Sequence, residues 1–219
     1  APAPVVILIS GRGSNLQAII QAMREGRLPI AIRAVISNNP AAPGLEMARA
    51  AGLATQVVDH RDFSDRTAFD RVLMEAIDRH EPRLVVLAGF LRILGKAFIN
   101  HFAGRLMNIH PSLLPAFKGL DTHARALAAG VRRHGASVHF VGTDVDGGPI
   151  IVQAEVPVLP GDDAPTLAAR VLTEEHRILP LAIRWFVEGR LSVRDGRVLL
   201  DGRVQPEQGP VAAPPIGTH

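Results

Sequence analysis

The sequence predicts an α/β fold: a mostly parallel twisted sheet with helices on both faces, and antiparallel strands in the C-terminal half. Three observations carry this. Through about residue 105, short apolar runs rich in β-branched residues alternate with amphipathic stretches of helical period. The first run, Val5-Val6-Ile7-Leu8-Ile9, is apolar at every position, which suits a strand buried on both faces. After Met107 the pattern changes to glycine- and proline-rich segments around two strand-like stretches.

The elements follow in order. Val5–Ile9 is closed by Ser10-Gly11. A helix spans about Asn15 to Glu25, with Leu16, Ile19, Ile20 and Met23 on one face, Ser or Asn as its cap and Gly26 as its stop. Ile32–Ile36 is a strand ended by Ser37-Asn38-Asn39-Pro40. Gly44–Ala51 is a short helix closed by Gly52, and Thr55–Val58 a third strand. Asp65–His80 is a helix with Phe69, Val72, Leu73 and Ile77 inward; Leu84–Ala88 is a central strand, and Lys96–His101 a short helix. Asn108–Gly119 reads as an ordered, proline-containing loop, followed by a helix near Thr122–Ala129 with Thr122 as cap. Ala136–Val141 and Ile150–Pro157 read as an antiparallel pair across a glycine-rich connection. Asp163-Ala164-Pro165 opens a long helix to about Glu188, with a kink expected at Pro180. Leu191–Val193 and Val198–Leu200 form a hairpin over Asp195-Gly196. There is no internal repeat. The expectation is one domain over 1–204, with halves of about 1–105 and 106–204, and a mobile Pro/Gly-rich tail over 205–219.

Composition excludes several function classes. No apolar run approaches the roughly 20 residues that span a bilayer. The chain has no cysteine, so disulfides, a thiol nucleophile and a cysteine zinc site are out. The isoelectric point near 10.4 suggests nucleic acid at first sight. Yet net charge is only +3, there is no tyrosine, and Lys96 and Lys118 are the only lysines among 24 basic residues. Little titrates between pH 8 and 10, so the high value reflects missing buffering groups, and no nucleic-acid partner is expected. The N-terminus lacks a basic region and a long apolar run, so a cytoplasmic location is expected.

Three constellations can carry chemistry. Ser10-Gly11-Arg12-Gly13-Ser14-Asn15 joins the first strand to the first helix, where free N–H groups and the helix dipole suit a phosphate. A plain tight turn explains the spacing equally well. A dinucleotide fingerprint is disfavoured, because Leu16 replaces the third glycine and Asn38-Asn39 replaces the acid after the second strand. The second constellation is Asn108-Ile109-His110-Pro111-Ser112-Leu113-Leu114-Pro115. Asn108 can donate to a developing oxyanion and His110 can transfer protons; two side chains bracing a proline-rich loop is the bland alternative. The third is Asp144-Val145-Asp146-Gly147-Gly148-Pro149, whose acid can pair with His110 and favour its charged form, or can simply make a turn. A metal on His139, Asp144 and Asp146 lacks a recognised ligand spacing, and Ser112 lacks a nucleophile elbow, so neither a metal site nor a serine triad is expected. His60, His80, His101, His123, His134 and His176 read as surface or packing residues.

Taken together, the motifs Ile9–Ile19, Leu87–Leu94, Asn108–Pro115, and Ser137–Phe140 through Asp146–Pro149 resemble the folate-dependent formyltransferase family. The Gly-x-Gly-Ser-Asn loop narrows the resemblance to its phosphoribosylglycinamide formyltransferase branch, and it covers about residues 5–200. It implies a Rossmann-like formyltransferase domain that moves a formyl group from 10-formyltetrahydrofolate to the amine of glycinamide ribonucleotide in purine biosynthesis. It implies Asn108, His110 and Asp146 as the catalytic trio, with His139 supportive. Gly13, Ser14, Asn15 and Glu175 would bind the ribonucleotide. Arg66, Leu91, Arg92, Ile93, Leu94 and Asn108 would bind the folate, and no metal would be needed. The sequence departs from the family at three places: Asp121 where His is common, Leu91 where Met is frequent, and Leu172 where some relatives carry a polar or basic residue near the phosphate; the two expectations there are a lower phosphate affinity or compensation by Arg170. The alternatives are a formyltetrahydrofolate deformylase, expected to carry a further N-terminal domain, and a non-catalytic sugar-phosphate sensor. Methionyl-tRNA formyltransferase would need a C-terminal RNA-binding domain. A monomer or weak homodimer is expected.

Overall fold

The computed structural model describes residues 1–204. They form two compact units: Ala1–Asn108 with Phe140–Asp144, and Ile109–His139 with the residues from Val145 onward. The expected tail, 205–219, lies outside the described residues.

The first unit runs β1 (Ala3–Ile9), α1 (Ser14–Arg24), β2 (Ile30–Ser37), α2 (Pro43–Ala50), β3 (Thr55–Val57), a 3-10 turn over His60–Asp62, α3 (Arg66–Asp78), β4 (Leu84–Leu87), α4 (Lys96–His101) and β5 (Leu106–His110), which ends beyond the unit. The strands are parallel, in the order β3-β2-β1-β4-β5. Val141 N–H donates to Leu106 O at 2.9 Å, continuing the pairing at β5. Strand alternation sends Val6, Leu8, Ala34, Ile36, Val85 and Leu87 to the face packed by Phe69, Leu73 and Ile77 of α3 and Phe98 of α4. Val5, Ile7, Ile9 and Val35 are buried on the opposite face, where Gly44 of α2 lies against Ile9. Both faces are thus covered, as the unbroken apolar run of β1 requires.

The second unit holds α5 (Thr122–Ala128), β6 (Arg133–Phe140, whose last residue belongs to the first unit), β7 (Ile150–Pro157), α6 (Ala164–Val187) and a small antiparallel sheet of β8 (Leu191–Arg194), β9 (Arg197–Leu200) and β10 (Arg203–Val204). β6 and β7 pair antiparallel from Arg133↔Pro157 to Val138↔Val152, with a register shift at His139. α6 is capped by Asp163, whose side chain accepts the Thr166 N–H at 2.9 Å, and continues through Pro180 to Val187.

The fold class agrees with the expectation, and the differences are local. Asn108–His110 is the end of a strand rather than the start of a loop. β1 and β2 each begin two residues earlier than expected, at Ala3 and Ile30. The caps of α1 and α5 are Gly13 and Asp121, both left-handed and without a side-chain capping bond. Thr122 does not cap; its hydroxyl donates to Pro111 O at 2.6 Å. Among the described residues no helix is long and apolar enough to cross a membrane.

Candidate active site

In the first unit, chain connectivity reverses beside β1: β2 and β3 lie on one side of it, β4 and β5 on the other. Loops at the carboxyl ends of strands around such a reversal are where open parallel sheets bind ligands. The two loops here are 10–13, after β1, and 88–95, after β4. Gly13 closes the first with φ 75°, a conformation that suits glycine, and α1 starts at Ser14 with no side-chain cap over its first N–H groups. Gly44 N–H donates to Gly11 O at 3.0 Å, so α2 holds the loop. A Cβ on Gly44 would stand 2.5 Å from Ile9 Cδ1 and 3.2 Å from Gly13 Cα, so only glycine allows that approach. Asn15 is buried, and Arg12 is exposed.

In the 88–95 loop, Leu91 and Ile93 are 74% and 56% exposed while Leu94 is buried, so its apolar side chains are presented outward, apart from the anchor. The Arg92 guanidinium stacks 4.7 Å over the Phe69 ring. Arg66, the first residue of α3, is exposed. Burial pushes the Asp70 carboxyl up, opposed by the Gly95 N–H bond and by the charges of Arg66 and Arg92.

In the second unit, His110 is buried at the end of β5, two residues after Asn108; alternation puts both side chains on one face of the strand. His110 Nε2 lies 2.9 Å from Phe117 O. A carbonyl only accepts, so Nε2 carries a proton. His110 Nδ1 lies 3.6 Å from Asp146 Oδ2, and Asp146 Oδ1 lies 3.8 Å from His139 Nε2. Each His110 ring nitrogen therefore faces an oxygen that can accept a hydrogen bond, Phe117 O at Nε2 and Asp146 Oδ2 at Nδ1. Asp146 adopts φ 52°, and its Oδ2 also accepts the Gly119 N–H at 2.8 Å. The loop that follows His110 is braced from β6 and β7: Ser137 Oγ donates to Ser112 O and accepts Leu114 N–H, and Gln153 donates to Leu114 O. Behind it, His123 Nδ1 meets His134 Nε2 at 3.1 Å. Burial pushes His134 down to about 4, with the charges of His123 and His110 adding to the shift. Glu175 is buried on the inward face of α6, while Glu174 pairs with Arg177.

The structure thus gathers His110, Asp146 and His139, and keeps Gly13–Asn15 and Leu91–Leu94 at the strand-end reversal. Ser112 serves the loop, donating to Ala116 O at 2.6 Å. Arg170 is not available to compensate for Leu172: its guanidinium is held by both Asp162 oxygens, at 2.7 and 2.9 Å. Among the described residues no group of three His, Asp or Glu is arranged to hold a metal ion. Sequence reasoning missed the support given by Ser137, Gln153, Gly44 and Asp70. Of these, Asp70 left a visible signal: an acid in helical phase with Leu73 and Ile77.

Comparison with known proteins shows the family. The formyl transferase family model matches residues 3–183. The chain is 53% identical over 205 residues to a phosphoribosylglycinamide formyltransferase of Escherichia coli K12, covering 94% of this chain and 97% of that one. It superposes with a TM-score of 0.92 on the solved phosphoribosylglycinamide formyltransferase of Coxiella burnetii, at 51% identity, covering 96% of this chain and 99% of that one. A formyltetrahydrofolate deformylase of Pseudomonas putida KT2440 is more distant, at 28% identity and a TM-score of 0.83 over 91% of this chain and 70% of that one.

Proposed function

The chain belongs to the formyl transferase family, and on that premise we propose that it transfers the formyl group of 10-formyltetrahydrofolate to the amine of glycinamide ribonucleotide, a step of purine biosynthesis. The observation that carries the reading is the pairing of His110 with Asp146, in a chain that matches a phosphoribosylglycinamide formyltransferase along nearly the whole length of both.

The proposed roles follow from the chemistry. The ribonucleotide phosphate lies against the N–H groups that open α1 at Gly13, Ser14 and Asn15, where the helix dipole favours negative charge. Glu175 contacts the ribonucleotide as a hydrogen-bond acceptor. Leu91, Arg92, Ile93 and Leu94 hold the pterin, largely through backbone groups, and Arg66 faces the carboxylates of the folate tail. The neutral amine attacks the formyl carbon. A carbon–nitrogen bond forms, and negative charge develops on the formyl oxygen. The cationic ring of His110 and the amide N–H of Asn108 oppose that charge; removing one such donor typically costs about 2.7–4 kcal/mol. Collapse breaks the bond to the folate nitrogen, which takes up the proton the amine loses. Asp146 balances the His110 cation and relays the proton through water, while His139 steadies the far oxygen of Asp146. No step of this account calls for a metal.

Residues 1–204 are read as one formyltransferase domain, acting in the cytoplasm as a monomer or weak homodimer, which light scattering of the purified chain measures. Incubating the protein with both substrates and weighing the product by mass spectrometry tests the activity. Formylated ribonucleotide is expected. Binding of the ribonucleotide without formylation would favour the sensor reading.

A further inference from the structure

Three residues, Arg92, Ile93 and Leu94, separate two anchored ends in the segment Leu91–Gly95. At one end, Leu91 N–H donates to Ser10 Oγ at 2.9 Å. At the other, Gly95 N–H donates to Asp70 Oδ2 at 2.8 Å. Both acceptors are buried and both come from outside the segment, Ser10 from the end of β1 and Asp70 from α3. Ser10 is itself oriented: its hydroxyl donates to Asn38 Oδ1 at 2.6 Å and its N–H donates to Gly89 O at 3.0 Å. Asn38 O in turn lies 3.2 Å from His60 Nδ1. A carboxylate in a core is unfavourable without partners, and Asp70 lies in helical phase with Leu73 and Ile77. Gly95 caps α4 without a side-chain bond of its own, and a Cβ there would stand 2.8 Å from Asp70 Oδ2. Between the anchors, Leu91 and Ile93 turn outward. Both ends of this stretch of backbone are therefore tethered, one by Ser10 and the other by Asp70.

We propose that Ser10 and Asp70 are positioning residues for the formyl donor: they hold the backbone of Leu91–Leu94 in the form that recognises the pterin. The inference rests on the folate reading above and adds two residues to it. Backbone recognition demands a fixed donor and acceptor pattern, which a segment tethered at both ends supplies and a free loop does not.

The test uses the full chain. For wild type, Ser10→Ala, Asp70→Ala and Asp70→Asn, the KM for 10-formyltetrahydrofolate and for the ribonucleotide are measured, with the dissociation constant of tetrahydrofolate by fluorescence titration and the melting temperature by circular dichroism. The two alanine variants are expected to raise the donor KM and the tetrahydrofolate dissociation constant roughly 5- to 30-fold, the effect of one lost buried hydrogen bond. The ribonucleotide KM is expected to move less than about two-fold. Asp70→Asn keeps an acceptor oxygen of the same size for Gly95 and should stay near wild type. Equal weakening of both substrates, an Asn variant as poor as the Ala variant, or lower melting temperatures with unchanged donor affinity would overturn the inference. Should Asp70→Ala fail to fold, Ser10→Ala and Asp70→Asn decide it. A wild-type protein that binds no tetrahydrofolate would instead overturn the folate reading on which it rests.

Discussion

Asp146 Oδ2 stands 3.6 Å from His110 Nδ1 and also receives the Gly119 N–H at 2.8 Å, so the carboxylate is fixed by backbone before any substrate arrives. Such preorganisation lets a charge act without reorganising during the reaction. His139 approaches the other oxygen, at 3.8 Å.

Replacing Asp146 by Asn keeps the shape and removes the charge. The expected result is a fall in kcat of roughly 10²- to 10³-fold, within the range of a lost acid–base partner, while the protein unfolds at nearly the wild-type temperature. Steady-state kinetics beside a thermal melt checks this, and an Asn variant with wild-type kcat would remove Asp146 from the mechanism.

Gly13→Ala places a side chain at φ 75° and its Cβ 3.0 Å from Gly44 Cα. The left-handed backbone alone costs about 1–2 kcal/mol, and relief requires the loop to move off α2. The ribonucleotide KM should rise about ten-fold or more, with the dissociation constant of tetrahydrofolate nearly unchanged. Titration of each ligand separately distinguishes a phosphate loop from a plain turn.

Gly135→Ala tests the brace behind the loop that follows His110. A Cβ there would meet Ala154 O at 2.0 Å and Leu113 Cδ2 at 2.8 Å. Backbone on the facing strand cannot give way as a side chain can, so β6 and β7 must part. Destabilisation of at least the ~1–3 kcal/mol typical of an overpacked core is expected, read as a lower urea midpoint. An unchanged midpoint would mean the strand pair is far more yielding than its register implies.

Stability should fall in mild acid. Burial holds His134 at about 4 in the folded protein, against about 6.5 in an unfolded chain. Between these values the unfolded state binds a proton that the folded state does not. Stability present above pH 6.5 is therefore lost progressively as the pH falls toward 4, by an amount on the order of 2–3 kcal/mol. His123 is pushed down as well, by burial first and then by the charge of His110. Urea midpoints at pH 7.5 and 5.0 should separate in wild type and separate less in His134→Leu. Equal separations would show that the acid loss originates elsewhere.

Most of the scaffold was legible because burial writes itself into sequence. The apolar runs of β1 and β4 have no polar position, and the helix starting after Asp65 carries an acid that accepts the Ala68 N–H at 2.7 Å. β5 was not legible. Its last three residues are Asn108, Ile109 and His110, followed by Pro111, so polar side chains stand where a buried strand would otherwise be apolar. The caps of α1 and α5 were misread for a related reason. Gly13 and Asp121 reach left-handed backbone, and the hydroxyl of Thr122 is drawn to Pro111 O by a contact that sequence does not reveal. The roles of Asn108, His110 and Asp146 were named by resemblance. The geometry around His110 comes from Phe117 O and Gly119 N–H, on the loop that follows it, and from His139 and Asp146, which are distant from it along the chain.

The central claim is that the formyl group goes to an amine and not to water. Initial rates of tetrahydrofolate release from 10-formyltetrahydrofolate, with and without glycinamide ribonucleotide, test it most directly. The account predicts release that depends on the ribonucleotide and is matched mole for mole by formylated product. Release at the same rate in its absence, with formate as the product, would contradict the account and assign the site to hydrolysis.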